Sequence, residues 1–270
     1  MIPKIIHYCW IGNKPLPALA KKCIKSWQRV MPDYEIKRWD ETNYNFKKNK
    51  FMAQAYAQKK WGFVPDYARL DIIYNYGGIY LDTDVEVLKR FDEFLTYPAF
   101  CGFESEHFVA LGLGFGSCKG NKVIKELMKP YENLDFTLED FIVKQASLYT
   151  AINVGKWQKE GCVPSPLLQT QNLIKICGLK QQDKRQSLQG LEVFPTKYFC
   201  PRNQFNIPVK TPVAYSVHWY NASWLPWYYR AYAKLTKLLF KILGKNFIYL
   251  YKIKHKCDDI KNFCLNKKFF

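Results

Sequence analysis

The chain has 270 residues, 48% of them hydrophobic and 17% aromatic, and its 41 Lys and Arg against 23 Asp and Glu leave a net charge of +18. That length suits one large α/β domain, or one domain with an appendage, and the apolar content excludes an intrinsically disordered chain. The charge predicts attraction to polyanions such as anionic lipid, nucleic acid or phosphate-bearing compounds. Nine cysteines are scattered without a Cys-x-x-Cys, which argues against a structural zinc site. The first residues lack a basic stretch followed by a long apolar one, and no segment reaches the ~20 apolar residues of a membrane span, so the expected setting is a reducing cytoplasm.

Residues 2–10 form a short apolar run closed by Gly12-Asn13 and read as a buried strand. Leu19, Cys23 and Trp27 recur every four residues and predict an amphipathic helix over 18–27. A turn at Met31-Pro32-Asp33 leads into an alternating strand at 34–39, and a further helix is expected over 51–60. Leu70, Ile73 and Tyr74 form one apolar stripe behind Pro65, predicting a helix over 66–76 that Gly77-Gly78 stop. Residues 79–87 read as one strand. Strands alternating with helices predict a mostly parallel, Rossmann-like sheet in an α/β domain, with ligands outside the carboxyl ends of the strands. Trp10, Ile11 and Gly12 would sit there, as would Asp82-Thr83-Asp84.

Further on, short strands are expected at 100–103 and 110–115, where Gly112, Gly114 and Gly116 suggest close backbone approach. Helices are expected over 121–128 and 138–149, and strands over 191–194 and 213–217. Residues 226–270 differ in character. They hold eleven Lys and Arg against Asp258 and Asp259, a net +9, half the charge of the chain in a sixth of its length. Lys234, Lys237, Lys241 and Lys245 oppose Leu235, Leu238, Leu239 and Ile242, the pattern of a basic amphipathic helix. With its many aromatics, it reads as a segment lying on an anionic membrane surface. Nucleic acid is not expected as a partner, because no recognition motif accompanies the charge.

Asp82 and Asp84 are two apart, so on one strand both carboxylates would point the same way. Paired like charges at a strand end are costly unless a cation neutralises them, and a divalent ion shared with a diphosphate would do so. Taken alone, Asp-x-Asp is more often a solvated strand end with two surface aspartates. Asp66 and Arg69, three apart on one helix face, are either a plain ion pair or a carboxylate for sugar hydroxyls beside a guanidinium for phosphate. His7, inside the first strand, reads as structural.

The run Trp61-Gly62-Phe63-Val64-Pro65-Asp66-Tyr67-Ala68-Arg69-Leu70, continued by Gly77-Gly78-Ile79-Tyr80-Leu81-Asp82-Thr83-Asp84-Val85, resembles the sugar-binding region of glycosyltransferase family 32. It also resembles the glucosylating domain of large clostridial toxins. The opening Ile2-Pro3-Lys4-Ile5-Ile6-His7-Tyr8-Cys9-Trp10-Ile11-Gly12 is similar to the family's first strand, and Val217-His218-Trp219-Tyr220-Asn221-Ala222-Ser223-Trp224 to its closing segment. The resemblance spans residues 1–225 and implies a GT-A type fold, with 226–270 as the basic helical extension. It implies that Asp84 holds a Mn²⁺ or Mg²⁺ ion directly and that Asp82 contacts ribose or reaches the metal through water. His218 is the implied third metal ligand. Trp10, Ile11, Asp66, Arg69, Tyr80, Ser223 and Trp224 are implied on the donor, with Asp82, Asp84 and Arg69 carrying the chemistry.

The expected function is therefore a retaining, metal-dependent transfer of a hexose or N-acetylhexosamine from a UDP-sugar. The expected acceptor is a glycan, lipid-linked and part of bacterial capsule or lipopolysaccharide synthesis, on the inner face of the cell membrane. GDP-mannose is the alternative donor, and a toxin-like protein glycosyltransferase the alternative acceptor class. The reading from another class is a basic membrane-binding module with a degenerate sugar site.

Overall fold

The computed structural model describes residues 1–136, 165–202 and 207–220, all within one compact unit, Met1–Asn221. The helix expected over 138–149, Ser223, Trp224 and the basic tail 226–270 lie outside the described residues.

Strand β1 (Ile5–Cys9) is followed by helix α1 (Ala18–Val30), strand β2 (Glu35–Trp39) and helices α2 (Lys50–Ala57) and α3 (Pro65–Tyr76). Strands β3 (Gly78–Tyr80), β4 (Val85–Val87), β5 (Ala99–Gly102) and β6 (Phe115–Ser117) come next, then helices α4 (Lys122–Met128) and α5 (Ser165–Cys177). Strands β7 (Gln186–Leu188) and β8 (Leu191–Phe194), helix α6 (Thr196–Phe199) and strand β9 (Ser216–His218) complete the described part.

The main sheet has seven strands in the order β2-β1-β3-β6-β5-β8-β7. β2, β1, β3, β5 and β8 run one way, while β6 and β7 run against them. This is the mostly parallel α/β sheet expected, with two reversed strands that alternation alone did not reveal. β4 and β9 form a separate two-stranded antiparallel sheet.

Residues 79–87 are therefore not one strand. The ladder of β3 ends at Tyr80, and the backbone then turns, with the Val85 amide donating to the Asp82 carbonyl at 3.0 Å. Aspartates favour such turns because their side chains compete for backbone groups. The stretch 110–115 also departs from expectation. Only Phe115 of it is in a strand, because the preceding loop is held by other partners: the Val109 amide donates to Thr170 Oγ1 at 2.9 Å and the Leu111 amide to Gln169 Oε1 at 3.1 Å. The last strand lies at Ser216–His218 rather than 213–217, since 212–213 form a turn.

Helix α1 buries Ala20, Cys23, Ser26 and Trp27. The Trp27 indole Nε1 donates to the Val85 carbonyl at 2.8 Å, and Ser26 Oγ accepts from the Val87 amide at 2.9 Å, which fastens α1 to β4. An aromatic cluster of Phe91, Phe94, Phe100, Phe194 and Phe199 fills the core under β5 and β8. His7, as expected, is structural. It is fully buried, its Nε2 donates to the Gly77 carbonyl at 2.9 Å, and its Nδ1 accepts from Trp39 Nε1 at 3.0 Å. Burial pushes its pKa down to about 4, so the ring is neutral.

Gly78 opens β3 at φ +98°, where a Cβ would stand 2.7 Å from the Ile5 carbonyl and 2.8 Å from His7 Nε2. Backbone strain and the clash act together. Gly78→Ala is therefore expected to lower stability by at least about 2 kcal/mol, as read from the midpoint of urea unfolding.

Candidate active site

β1 and β3 are parallel neighbours, with Ile6 beside Ile79 and His7 beside Tyr80. Their carboxyl ends therefore deliver Trp10-Ile11-Gly12 and Leu81-Asp82 to the same edge of the sheet, where open α/β sheets bind ligands. The Leu81 amide still donates to the His7 carbonyl at 3.1 Å, and the Asp82 amide to the Gly112 carbonyl at 3.0 Å. The loop carrying Gly112 thus lies against the Asp-Thr-Asp turn. A Cβ on Gly112 would fall 1.9 Å from Asp82 Oδ2, so only glycine leaves this carboxylate its place. The close approach that the glycines suggested is real, and its purpose is to seat Asp82.

Helix α3 contributes the facing charges. Arg69 is 5% exposed, and its Nη2 lies 3.1 Å from Asp66 Oδ1 and 3.4 Å from Asp82 Oδ1. The Arg69 Nε–H donates to the Pro65 carbonyl at 3.0 Å, and the guanidinium rests over the Tyr80 ring, 5.2 Å from its centroid. One cation is therefore shared by two carboxylates. Burial, with Asp82 as a like charge, outweighs the arginine and pushes the Asp66 carboxyl up to about 7. Asp82 is raised for the same reasons, burial first and the neighbouring Asp84 also contributing.

Asp84 points elsewhere. Because residues 82–85 form a turn, the two carboxylates do not share a strand face as the sequence suggested. The β4–β9 pairing sets Val85 opposite His218, and the Trp219 amide donates to the Asp84 carbonyl at 3.0 Å. His218 Nε2 then donates to Asp84 Oδ1 at 2.9 Å across 134 residues of sequence. Burial opposes a charged imidazole, but Asp84 and Asp82 outweigh it and raise the pKa of His218. The Tyr220 ring lies against His218, with centroids 4.0 Å apart and the planes tilted by 57°.

The remaining expected residues are placed as follows. Trp10 is half-buried, with its indole Nε1 donating to the Lys14 carbonyl at 2.5 Å. Ile11 is 7% exposed and Tyr80 is 1% exposed, so Tyr80 supports the Arg69 guanidinium from below. The structure thus brings Asp66, Arg69, Asp82, Asp84 and His218 into one connected cluster. Sequence reasoning missed three parts of its frame: Gly112 as the seat of Asp82, Gln169 and Thr170 of α5 as the clamp on the Gly112 loop, and Glu86. Glu86 is 3% exposed and accepts from Trp219 Nε1 at 3.0 Å, which fixes the residue after His218. A polar residue alternating with Val85 and Val87 was the available signal for Glu86.

Among the described residues, no group of three His, Cys, Asp or Glu could by itself hold a metal ion. The donor set still fits a divalent cation. Three carboxylates stand against two basic groups, with Asp66 and Asp82 sharing Arg69 and Asp84 held by His218, which leaves the cluster short of positive charge. Mg²⁺-like ions are commonly held by one or two carboxylates, with substrate phosphates and water completing the shell. Asp82 and Asp84 are the carboxylates that could serve.

With this geometry in view, the comparisons with known proteins fall into place. Residues 17–100 match the family described as the glycosyltransferase sugar-binding region containing a DXD motif, and Asp82-Thr83-Asp84 supplies that motif. Inositol phosphoceramide mannosyltransferase 3 of Schizosaccharomyces pombe is 29% identical over 170 residues, covering 58% of this chain and 46% of that protein. The chain thus spans about half the length of that relative. An uncharacterized glycosyltransferase of Acanthamoeba polyphaga mimivirus is 24% identical over 266 residues, 89% of each chain. Among solved structures, the PaToxG glycosyltransferase is 21% identical, with a TM-score of 0.43 over 64% of this chain and 68% of that one.

The shift at Asp66 has a consequence for stability. Its folded pKa, about 7, lies above the unfolded value near 3.8. The folded chain therefore holds the proton more tightly, and this contribution is complete below pH ~4 and lost as pH rises through 7. Asp66→Asn cannot ionise. Its stability relative to wild type is expected to rise between pH 4 and pH 8, as measured by urea midpoints across that range. A constant difference would contradict the raised pKa.

Proposed function

We propose that this protein is a retaining, divalent-metal-dependent glycosyltransferase that takes a nucleoside-diphosphate hexose. The observation that carries the reading is the cluster itself: Asp82 on the arginine of the preceding helix and Asp84 on a histidine delivered from the far end of the described chain. A family match over the same turn supports it. In this reading the Arg69 guanidinium stabilises charge on the departing diphosphate, and Asp66, held against it, accepts hydrogen bonds from sugar hydroxyls. Asp82 and Asp84 would hold Mn²⁺ or Mg²⁺, which when bound supplies further charge stabilisation to the leaving group. Tyr80 and Gly112 keep Arg69 and Asp82 in register so that no reorganisation is needed as charge develops. An acceptor hydroxyl attacks from the leaving-group face as the bond between the anomeric carbon and the phosphate oxygen breaks, its proton passes to the departing diphosphate, and the anomeric configuration is unchanged.

The donor expected from the family resemblance is a UDP-sugar. The mannosyltransferase names among the relatives favour GDP-mannose, and the phosphorylated lipid in those names favours a lipid-linked acceptor. A cytoplasmic membrane surface, reached through the basic segment 226–270, is the setting that suits such an acceptor.

The test is hydrolysis of a panel of UDP- and GDP-sugars with and without Mn²⁺. Asp84→Ala is expected to lower metal-dependent turnover on the best donor by at least about a hundredfold while leaving the urea midpoint close to that of wild type. Equal slow hydrolysis by both proteins, with no dependence on metal, would leave a binding module in place of an enzyme.

A further inference from the structure

Helix α1 turns Cys23 and Trp27 into the core, and its opposite face carries Lys21, Lys22, Lys25 and Arg29, all exposed. Residues 18, 21, 22, 25 and 29 fall on one stripe of a 3.6-residue helix, and the helix contains no acidic residue. These four cations line an open groove of about 630 Å³, the size of a small-ligand cleft.

Among the described residues the groove holds one carboxylate, Glu86, and its charge is already taken. Lys210 Nζ lies 2.6 Å from Oε1, Lys22 Nζ lies 3.3 Å from Oε2, and the two lysines with their hydrogen bonds outweigh burial and lower its pKa. Lys21, Lys25 and Arg29 have no ion pair among the described residues. Lys21 and Lys25, like Lys25 and Arg29, are four apart, a spacing at which like charges repel on a helix. A concave surface of one sign concentrates potential and draws in a counter-ion. The anion must come from outside the described chain.

The chemistry selects its class. Three unpaired cations, one of them a guanidinium, match the several acceptor oxygens and the charge of a phosphate group. Among the described residues the lining contains no aromatic ring, so it offers none of the stacking platforms that single-stranded nucleic acid uses. We propose that this groove between α1 and β4 is a phosphate-binding site separate from the Asp82–Asp84 cluster, able to take the phosphorylated headgroup of a lipid or a free phosphate compound. It adjoins the cluster through Glu86, whose Oε2 holds Trp219, the residue that follows His218.

The full chain is the material for the test, because the basic segment 226–270 remains in every variant and cancels. Lys21→Ala/Lys25→Ala/Arg29→Ala removes the unpaired cations and leaves Lys22 on Glu86. Lys47→Ala/Lys60→Ala/Lys125→Ala removes the same charge from exposed positions elsewhere. Binding is measured by flotation with vesicles of equal parts phosphatidylcholine and phosphatidylinositol, and by calorimetric titration with inorganic phosphate, after melting curves show both variants folded. The groove variant is expected to bind on the order of a hundredfold more weakly at low salt, about fivefold per residue, while the control stays near wild type. A loss confined to vesicles identifies a lipid headgroup, and a loss with inorganic phosphate as well identifies a soluble phosphate compound. If the groove variant matches the control in both arms, or loses binding only to a single-stranded RNA oligonucleotide, the proposal is overturned.

Discussion

One buried guanidinium organises the site. Arg69 reaches Asp66 on its own helix and Asp82 on the turn after β3, and it does so from a position with almost no contact with solvent. Burying a charge is costly unless it is paired and hydrogen-bonded, so its neighbours must keep their places: the Pro65 carbonyl, the Tyr80 ring below and the glycine at 112 beyond Asp82. The burial that keeps Asp66 near neutrality also makes unneutralised charge here costly, and so makes the cluster receptive to a cation. Structure and chemistry share one cause here.

The second organising feature is the departure of the chain from the main sheet at Asp82. A continuous strand would have carried Asp84 along the sheet edge. The turn instead delivers Val85–Val87 to a strand from the end of the described region, and this brings His218 to Asp84. Trp27 and Ser26 of α1 bind β4 from behind, so the basic helix and Asp84 are tied to the same three residues.

Much of this was legible in the sequence, and the reason is local. Periodicity marked α1 and α3, and the apolar runs marked β1, β5 and β8, because burial on one side imposes its own spacing. The cluster residues Asp66, Arg69, Asp82, Asp84 and His218 were named from the family resemblance, with their residue types suited to the chemistry. What stayed hidden was long-range. No local pattern tells that β6 runs backwards between β3 and β5, since strand direction is set by partners. The division of 79–87 into two sheets depends on hydrogen bonds from residues 112 and 219. Helix α5 carries its apolar residues together with buried glutamine and threonine, Gln169 and Thr170, whose partners are the amides of a distant loop. Polar residues with that duty weaken the very stripe by which a helix is recognised.

The small sheet has a consequence of its own. β4 and β9 are three residues each, and a two-stranded pair of that size has little stability of its own in water. Its persistence is borrowed from the indole and hydroxyl of α1 and from Glu86. Val85 and Val87 are also fully buried in the same cluster as Ile6 of β1 and Ile79 of β3. The histidine beside Asp84 is thus held in place by the packing of the domain core, so loosening that core disturbs the site as well.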